Sequence, residues 1–162
     1  METDLGVRLS TDSDEGRLTI PLRLVGSGSS ATTIQHVMLI VYTQSGTDDP
    51  IQLQISTVSG IVADATILDT TQDYFEEYAA NWHIRPVAAP FTRSDVLAGG
   101  AIQLGIQGQD AWRPYSVFVY GLDTATGRPN EVVDLVAIPE WTLPALSADP
   151  AEGQPTALLP VM

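Results

Sequence analysis

The sequence predicts an all-β fold, an antiparallel eight-stranded β-sandwich with at most one short helical turn. Three observations carry this expectation. Apolar and polar residues alternate with period two in several segments, as in strands that face a core on one side. Thirteen Gly and eleven Pro among 162 residues cut the chain into short pieces, with turn signals between them. No stretch of useful length carries a helical repeat. At 44% hydrophobic residues the chain buries enough apolar surface to offset the entropy of ordering, so wholesale disorder is excluded. The length fits one domain.

Residues 1–16 read as a polar N-terminal segment. It ends in Thr11-Asp12-Ser13-Asp14-Glu15-Gly16, a solvated turn without the glycine and glutamate positions of an EF-hand loop. The sandwich domain is expected over residues 17–140. Its first strand follows from Leu18, Ile20, Leu22 and Leu24 alternating with Thr19, Pro21 and Arg23; Pro21 lacks a ladder donor, which suits an edge. Ile34 to Tyr42 is nearly all apolar and β-branched, the mark of a strand covered on both faces. Ile51, Leu53 and Ile55 alternate with Gln52, Gln54 and Ser56, a half-solvated strand. Ile61 to Leu68 forms another short apolar run. A further strand is expected around Trp82 to Arg85, with Trp82 in the core.

Thr92-Arg93-Ser94-Asp95 has the chemistry to cap one helical turn. Ile102, Leu104 and Ile106 alternate with Gln103, Gly105 and Gln107. Val117 to Tyr120 is apolar on both faces, and Val132 to Ile138 is the last expected strand. Residues 141–162 read as a Pro/Ala-rich C-terminal tail, mobile or laid along a neighbour. Trp141 is its expected surface anchor, and Leu158, Leu159, Val161 and Met162 are apolar enough to dock.

Charge excludes whole classes of function. Seven Arg and no Lys stand against twenty Asp and Glu, a net charge of −13. Such a chain repels nucleic acid and is not drawn to anionic lipid by charge alone, although a bridging divalent cation reverses that argument. Without Cys there are no disulfides, thiol nucleophiles or thiolate metal sites. The acidic start, Met1-Glu2-Thr3-Asp4-Leu5, has no secretory apolar region, and no window holds the roughly eighteen apolar residues of a membrane span. The expectation is a soluble protein, cytoplasmic or part of a secreted particle.

Three segments, in order, resemble the lipoxygenase-homology (PLAT/LH2) family of β-sandwich modules. Gly46-Thr47-Asp48-Asp49-Pro50, running into Ile51 to Ile55, is similar to the family's Gly-Thr-Asp turn before an alternating strand. Leu68-Asp69-Thr70-Thr71-Gln72-Asp73-Tyr74-Phe75-Glu76 is similar to its Leu-Asp…Asp-Phe-Glu segment, about one residue shorter between Asp69 and Asp73. Asp110-Ala111-Trp112-Arg113-Pro114 resembles the Asp-Ala-aromatic-x-Pro turn in the membrane-binding domain of clostridial phospholipase toxins. The resemblance covers about residues 33 to 123.

The resemblance implies a PLAT-like topology that gathers Asp48, Asp69, Asp73 and Asp110 at one end as calcium ligands. Calcium takes six to eight oxygens, and a divalent ion relieves the mutual repulsion of clustered carboxylates. Tyr74, Phe75 and Trp112 are then the candidate ligand contacts beside the ion. The same residues also read as turn-forming acids on an acidic surface, with Trp112 covering the end of the core. The implied role is a non-catalytic binding module for a lipid surface or a protein partner.

Other functions stay open on the sequence. A carbohydrate-binding sandwich would stack sugars on Trp112, Trp141 and Tyr115. A structural subunit of a larger particle, a phage or an injection apparatus, would use residues 145–162 for homo-oligomer or larger assembly. Catalysis has the least in its favour: the two histidines, His36 and His83, fall within expected strands, and no nucleophile elbow, zinc-protease motif or phosphate loop occurs. No catalytic residue is nominated.

Overall fold

A computed structural model describes residues 28–67, 80–124 and 129–162. The expected strand over residues 18–24 lies outside them. The other seven are present: β1 (Ile34–Ser45), β2 (Ile51–Thr57), β3 (Gly60–Ile67), β4 (Ala80–Phe91), β5 (Ala101–Ile106), β6 (Arg113–Leu122) and β7 (Val132–Ile138). An eighth, β8 (Thr156–Leu159), comes from the segment expected to be a tail. The helical turn is α1 (Arg93–Leu97). It forms because Thr92 and Asp95 make a reciprocal capping box: Thr92 Oγ1 accepts the Asp95 N–H at 3.2 Å, and the Asp95 carboxylate accepts the Thr92 N–H at 2.8 Å, so two orphan donors are satisfied.

The strands form two four-stranded antiparallel sheets, ordered β4-β1-β6-β7 and β3-β2-β5-β8. Their inner faces meet in one core that holds Leu39, Ile51, Leu53, Ile55, Ile102, Leu104 and Leu135 with almost no exposure. The outer face of β2 and β5 carries Gln52, Gln54 and Gln103, as the Gln alternation predicts, and Leu158 stands exposed beside Gln103 at the β8 edge. There Gln52 Nε2 donates to the Asp64 carboxylate across the β2–β3 pair at 2.7 Å.

Parity alone misplaces several side chains. A register shift between Ile34 and His36 puts Ile34 in the core while Met38 and Ile40 face outward. Trp82, expected in the core, stands on the outer side of β4 and is 67% exposed, because its neighbour across the ladder is the outward-facing Ile40. Trp141, expected at the surface, is buried; its backbone N–H donates to Tyr115 O at 2.7 Å and its indole N–H to Pro144 O at 3.1 Å. Residues 156–159 pair with β5 of their own chain, and Ala157 and Leu159 fill its core. Burying alternate side chains while completing a sheet edge satisfies both the backbone and the apolar surface of so short a strand.

Register also shows which connections share an end. Ser45 pairs with Arg113, Ile51 with Ile106, Val117 with Ile138 and Gly105 with Thr156. Three sheet-to-sheet crossings therefore lie together at the upper end: residues 46–50, 107–112 and 139–155. The lower end is closed by α1, whose Val96 enters the core.

Candidate metal centre

The upper end is built from two adjacent crossings that carry three acids. In the first, Thr47 is buried and its hydroxyl accepts the Asp49 N–H at 3.0 Å. This local turn swings Asp49 toward the second crossing, where its carboxylate accepts the Asp110 N–H at 2.8 Å. Pro50 O accepts the Gln107 N–H at 2.9 Å and ties the crossings further. Gly108 makes the approach possible: a Cβ there would lie 1.8 to 2.0 Å from the Asp49 carboxylate, so any other residue would displace that side chain.

The third crossing braces the second from behind. Trp112 and Leu146 exchange two backbone bonds of 2.8 Å, Ala148 N–H donates to Gly108 O at 2.9 Å, and the Ser147 hydroxyl donates to Gln109 O at 2.7 Å. Beneath the loop Trp112 is fully buried and packed in the core. It is therefore not placed to contact a ligand; it supports the loop that holds Asp110.

The outcome is a triad, Asp48, Asp49 and Asp110, that offers one carboxylate oxygen each within 4.8 Å of one another. Two oxygens bound to one calcium ion at about 2.4 Å lie at most about 4.8 Å apart, so the spacing fits a shared ion. Asp48 and Asp110 are exposed and Asp49 is half-buried. The electrostatics agree with the crowding. Asp110 is held above the ordinary carboxylate range, first by a side-chain hydrogen bond with Asp48 and then by the Asp49 charge, with burial and the charges of Asp48 and Glu152 adding to it. A cation would replace the proton that this arrangement attracts.

The structure thus brings together Asp48 and Asp110 and adds Asp49, which the sequence analysis did not single out. Its signal was the Asp-Asp-Pro run, but neighbouring acids in an extended chain diverge, and only the Thr47 turn and the Gly108 gap bring the second one back. Asp69, Asp73, Tyr74 and Phe75 lie outside the described residues. On either side of them, Ile67 pairs with Ile51 and Ala80 with Tyr42, at this same end.

No protein-family model matches the sequence, and no curated protein matches it. Among solved structures the chain is similar to coral 8R-lipoxygenase, a structure described as showing calcium activation via a C2-like domain. The TM-score is 0.47 at 13% identity, with 76% of this chain covered. The match spans 16% of that chain, and the calcium activation is that enzyme's own. Among the described residues no helix is long and apolar enough to cross a membrane.

Proposed function

We propose that this chain is a non-catalytic, PLAT-like binding module whose upper end takes up calcium through Asp48, Asp49 and Asp110. The observation that carries this reading is the convergence of three carboxylates from two sheet crossings within the span of one coordination sphere. Three side-chain oxygens leave a six- to eight-coordinate ion with room for water and for an anionic group of a partner. In a chain of net charge −13 that ion is the feature able to reverse the repulsion between this surface and a lipid phosphate or a protein carboxylate. The non-catalytic part rests on the absence of catalytic motifs in the sequence.

The alternatives keep part of the residues nominated for them. Sugar stacking would rely on Trp112 and Trp141, which are both buried, leaving Tyr115 packed edge-on against Tyr42. Assembly through residues 145–162 retains Leu158 and Met162, which are exposed, while Leu159 faces the chain's own core and Val161 packs against it.

Calcium titration followed by thermal unfolding tests the proposal. Stability is expected to rise by about 2.7 kcal/mol at a hundredfold excess over the dissociation constant, and Asp48→Asn or Asp110→Asn should remove the response. No shift up to millimolar calcium rejects the metal. Phosphatidylserine vesicles sedimented with and without calcium separate a lipid partner from a protein one.

A further inference from the structure

β8 has four residues where the other described strands have six to twelve. Among the described strands it pairs with β5 alone. Pro155 and Pro160 bound it, and neither has an N–H to extend the ladder. Only Ala157 and Leu159 enter the core, while Leu158 between them is 68% exposed. A short edge strand with two inward side chains opens at lower cost than the longer strands it leans on. Past Pro160, Val161 packs against the core and the Met162 N–H donates to Leu135 O at 3.0 Å. Residues 156–162 therefore run from the edge of the second sheet to the edge of the first and close that side of the sandwich.

The entry to this strand is tied into the acidic end. Pro155 O accepts the Ile106 N–H at 3.0 Å, at the last residue of β5, from which the crossing of residues 107–112 departs. One residue earlier, Gln154 O accepts the Ser147 N–H at 2.9 Å, and the Gln154 N–H donates to Ala145 O at 3.0 Å. Leu146 thus stands between a parallel bridge to Gln154 and an antiparallel bridge to Trp112. Ser147, fully buried, passes the connection on: its hydroxyl donates to Gln109 O at 2.7 Å and accepts the Asp149 N–H at 3.0 Å. Gly153 permits this closeness, since a Cβ there would lie 2.2 Å from Ala145 O. An unbroken series of hydrogen bonds leads from β8 to Gln109, the neighbour of Asp110.

We propose that β8 is a latch: its docking on β5 fixes the crossing of residues 107–112, and with it the spacing of Asp110 from Asp48 and Asp49, whereas its release loosens both. The consequence for calcium rests on the reading given above; the consequence for the crossing does not. Because two linked equilibria act on each other equally, calcium holds β8 on β5 by the same factor by which docked β8 strengthens the hold on calcium.

The test uses the full chain, which has no Cys of its own. Gln103 and Leu158 are direct partners across β5 and β8, so Gln103→Cys with Leu158→Cys should form a disulfide that locks the latch and that a reductant reopens. Hydrogen exchange at the Asp110 amide, which bonds to Asp49 rather than to the brace, should be several-fold slower in the locked form, and the calcium dissociation constant several-fold lower. The Ala98 amide at the lower end, bonded to Ser94 O at 3.0 Å, should exchange alike in both forms, which separates the coupling from a general gain in stability. Leu159→Asp should act in the opposite direction, and Leu158→Asp, on the exposed parity, should change neither reading; where Leu159→Asp fails to fold, the reversible disulfide still decides. Equal Asp110 exchange in the locked and reopened chains overturns the latch. A difference in exchange without a difference in calcium affinity overturns its link to the metal. If neither form takes up calcium, the calcium reading falls, and the exchange result alone upholds or overturns the latch.

Discussion

Asp95, in the first turn of α1 at the lower end of the sandwich, and Asp110, in a crossing at the upper end, are both exposed carboxylates. Their surroundings differ in one respect. Asp95 meets donors: the Thr92 N–H and the Thr92 hydroxyl both lie at 2.8 Å from its carboxylate. Asp110 meets other acids, Asp48, Asp49 and Glu152, and its ionisation is opposed by them. An acid surrounded by donors is satisfied by the fold itself, whereas acids aimed at one another leave an excess of negative charge that a cation would offset. Sequence composition treats the two alike. Separating a structural acid from a ligand acid requires knowing what each one faces.

Three perturbations would break or sharpen that contrast. The largest is Trp112→Ala. It removes the buried indole beneath the acidic loop and should cost about 3–5 kcal/mol in denaturant unfolding, and calcium should restore less of that stability than it adds to the parent, because the loop loses its support. At the lower end Thr92→Ala should cost about 1 kcal/mol through the lost cap and leave the calcium response unchanged. A calcium response altered equally by both substitutions would erase the distinction between the ends.

The smallest effect is a pH dependence. With its folded-state pKa raised, Asp110 binds a proton more tightly in the folded chain than in the unfolded one. Its contribution to stability is therefore fullest below the ordinary carboxylate range and is lost as pH climbs through the raised value. Without calcium, Asp110→Asn should flatten that decline, measured as unfolding midpoint against pH at low salt. Added calcium should flatten it in the parent chain and release protons as it binds. A variant that unfolds with the parent's pH profile would show that the repulsion at this end is already screened.

Much of the architecture was legible because burial and periodicity leave the same trace. The Gln52/Gln54 alternation marks a half-wet strand, the unbroken run from Ile34 to Tyr42 marks one covered on both faces, and Thr92 with Asp95 marks a cap. β8 escaped because four residues between Pro155 and Pro160 are too few for a period to show. Trp82 and Trp141 exchanged expected places because an aromatic residue does not by itself reveal which face of a strand, or which side of a loop, will be covered. At the candidate site Asp48 and Asp110 could be nominated from turn motifs, but Asp49 could not.

Local pattern is enough to decide that this chain is all-β, where seven of its strands run, and that its surface repels anions, because each of those properties depends on residues close together along the chain. Which acids meet is decided only by the tertiary fold. Residues 48 and 110 are far apart in sequence and become neighbours because two crossings between the sheets lie side by side, with a gap left by one glycine and a brace supplied by residues 141–155. Coulomb repulsion acts through space, so the demand for a cation exists only after the chain has folded.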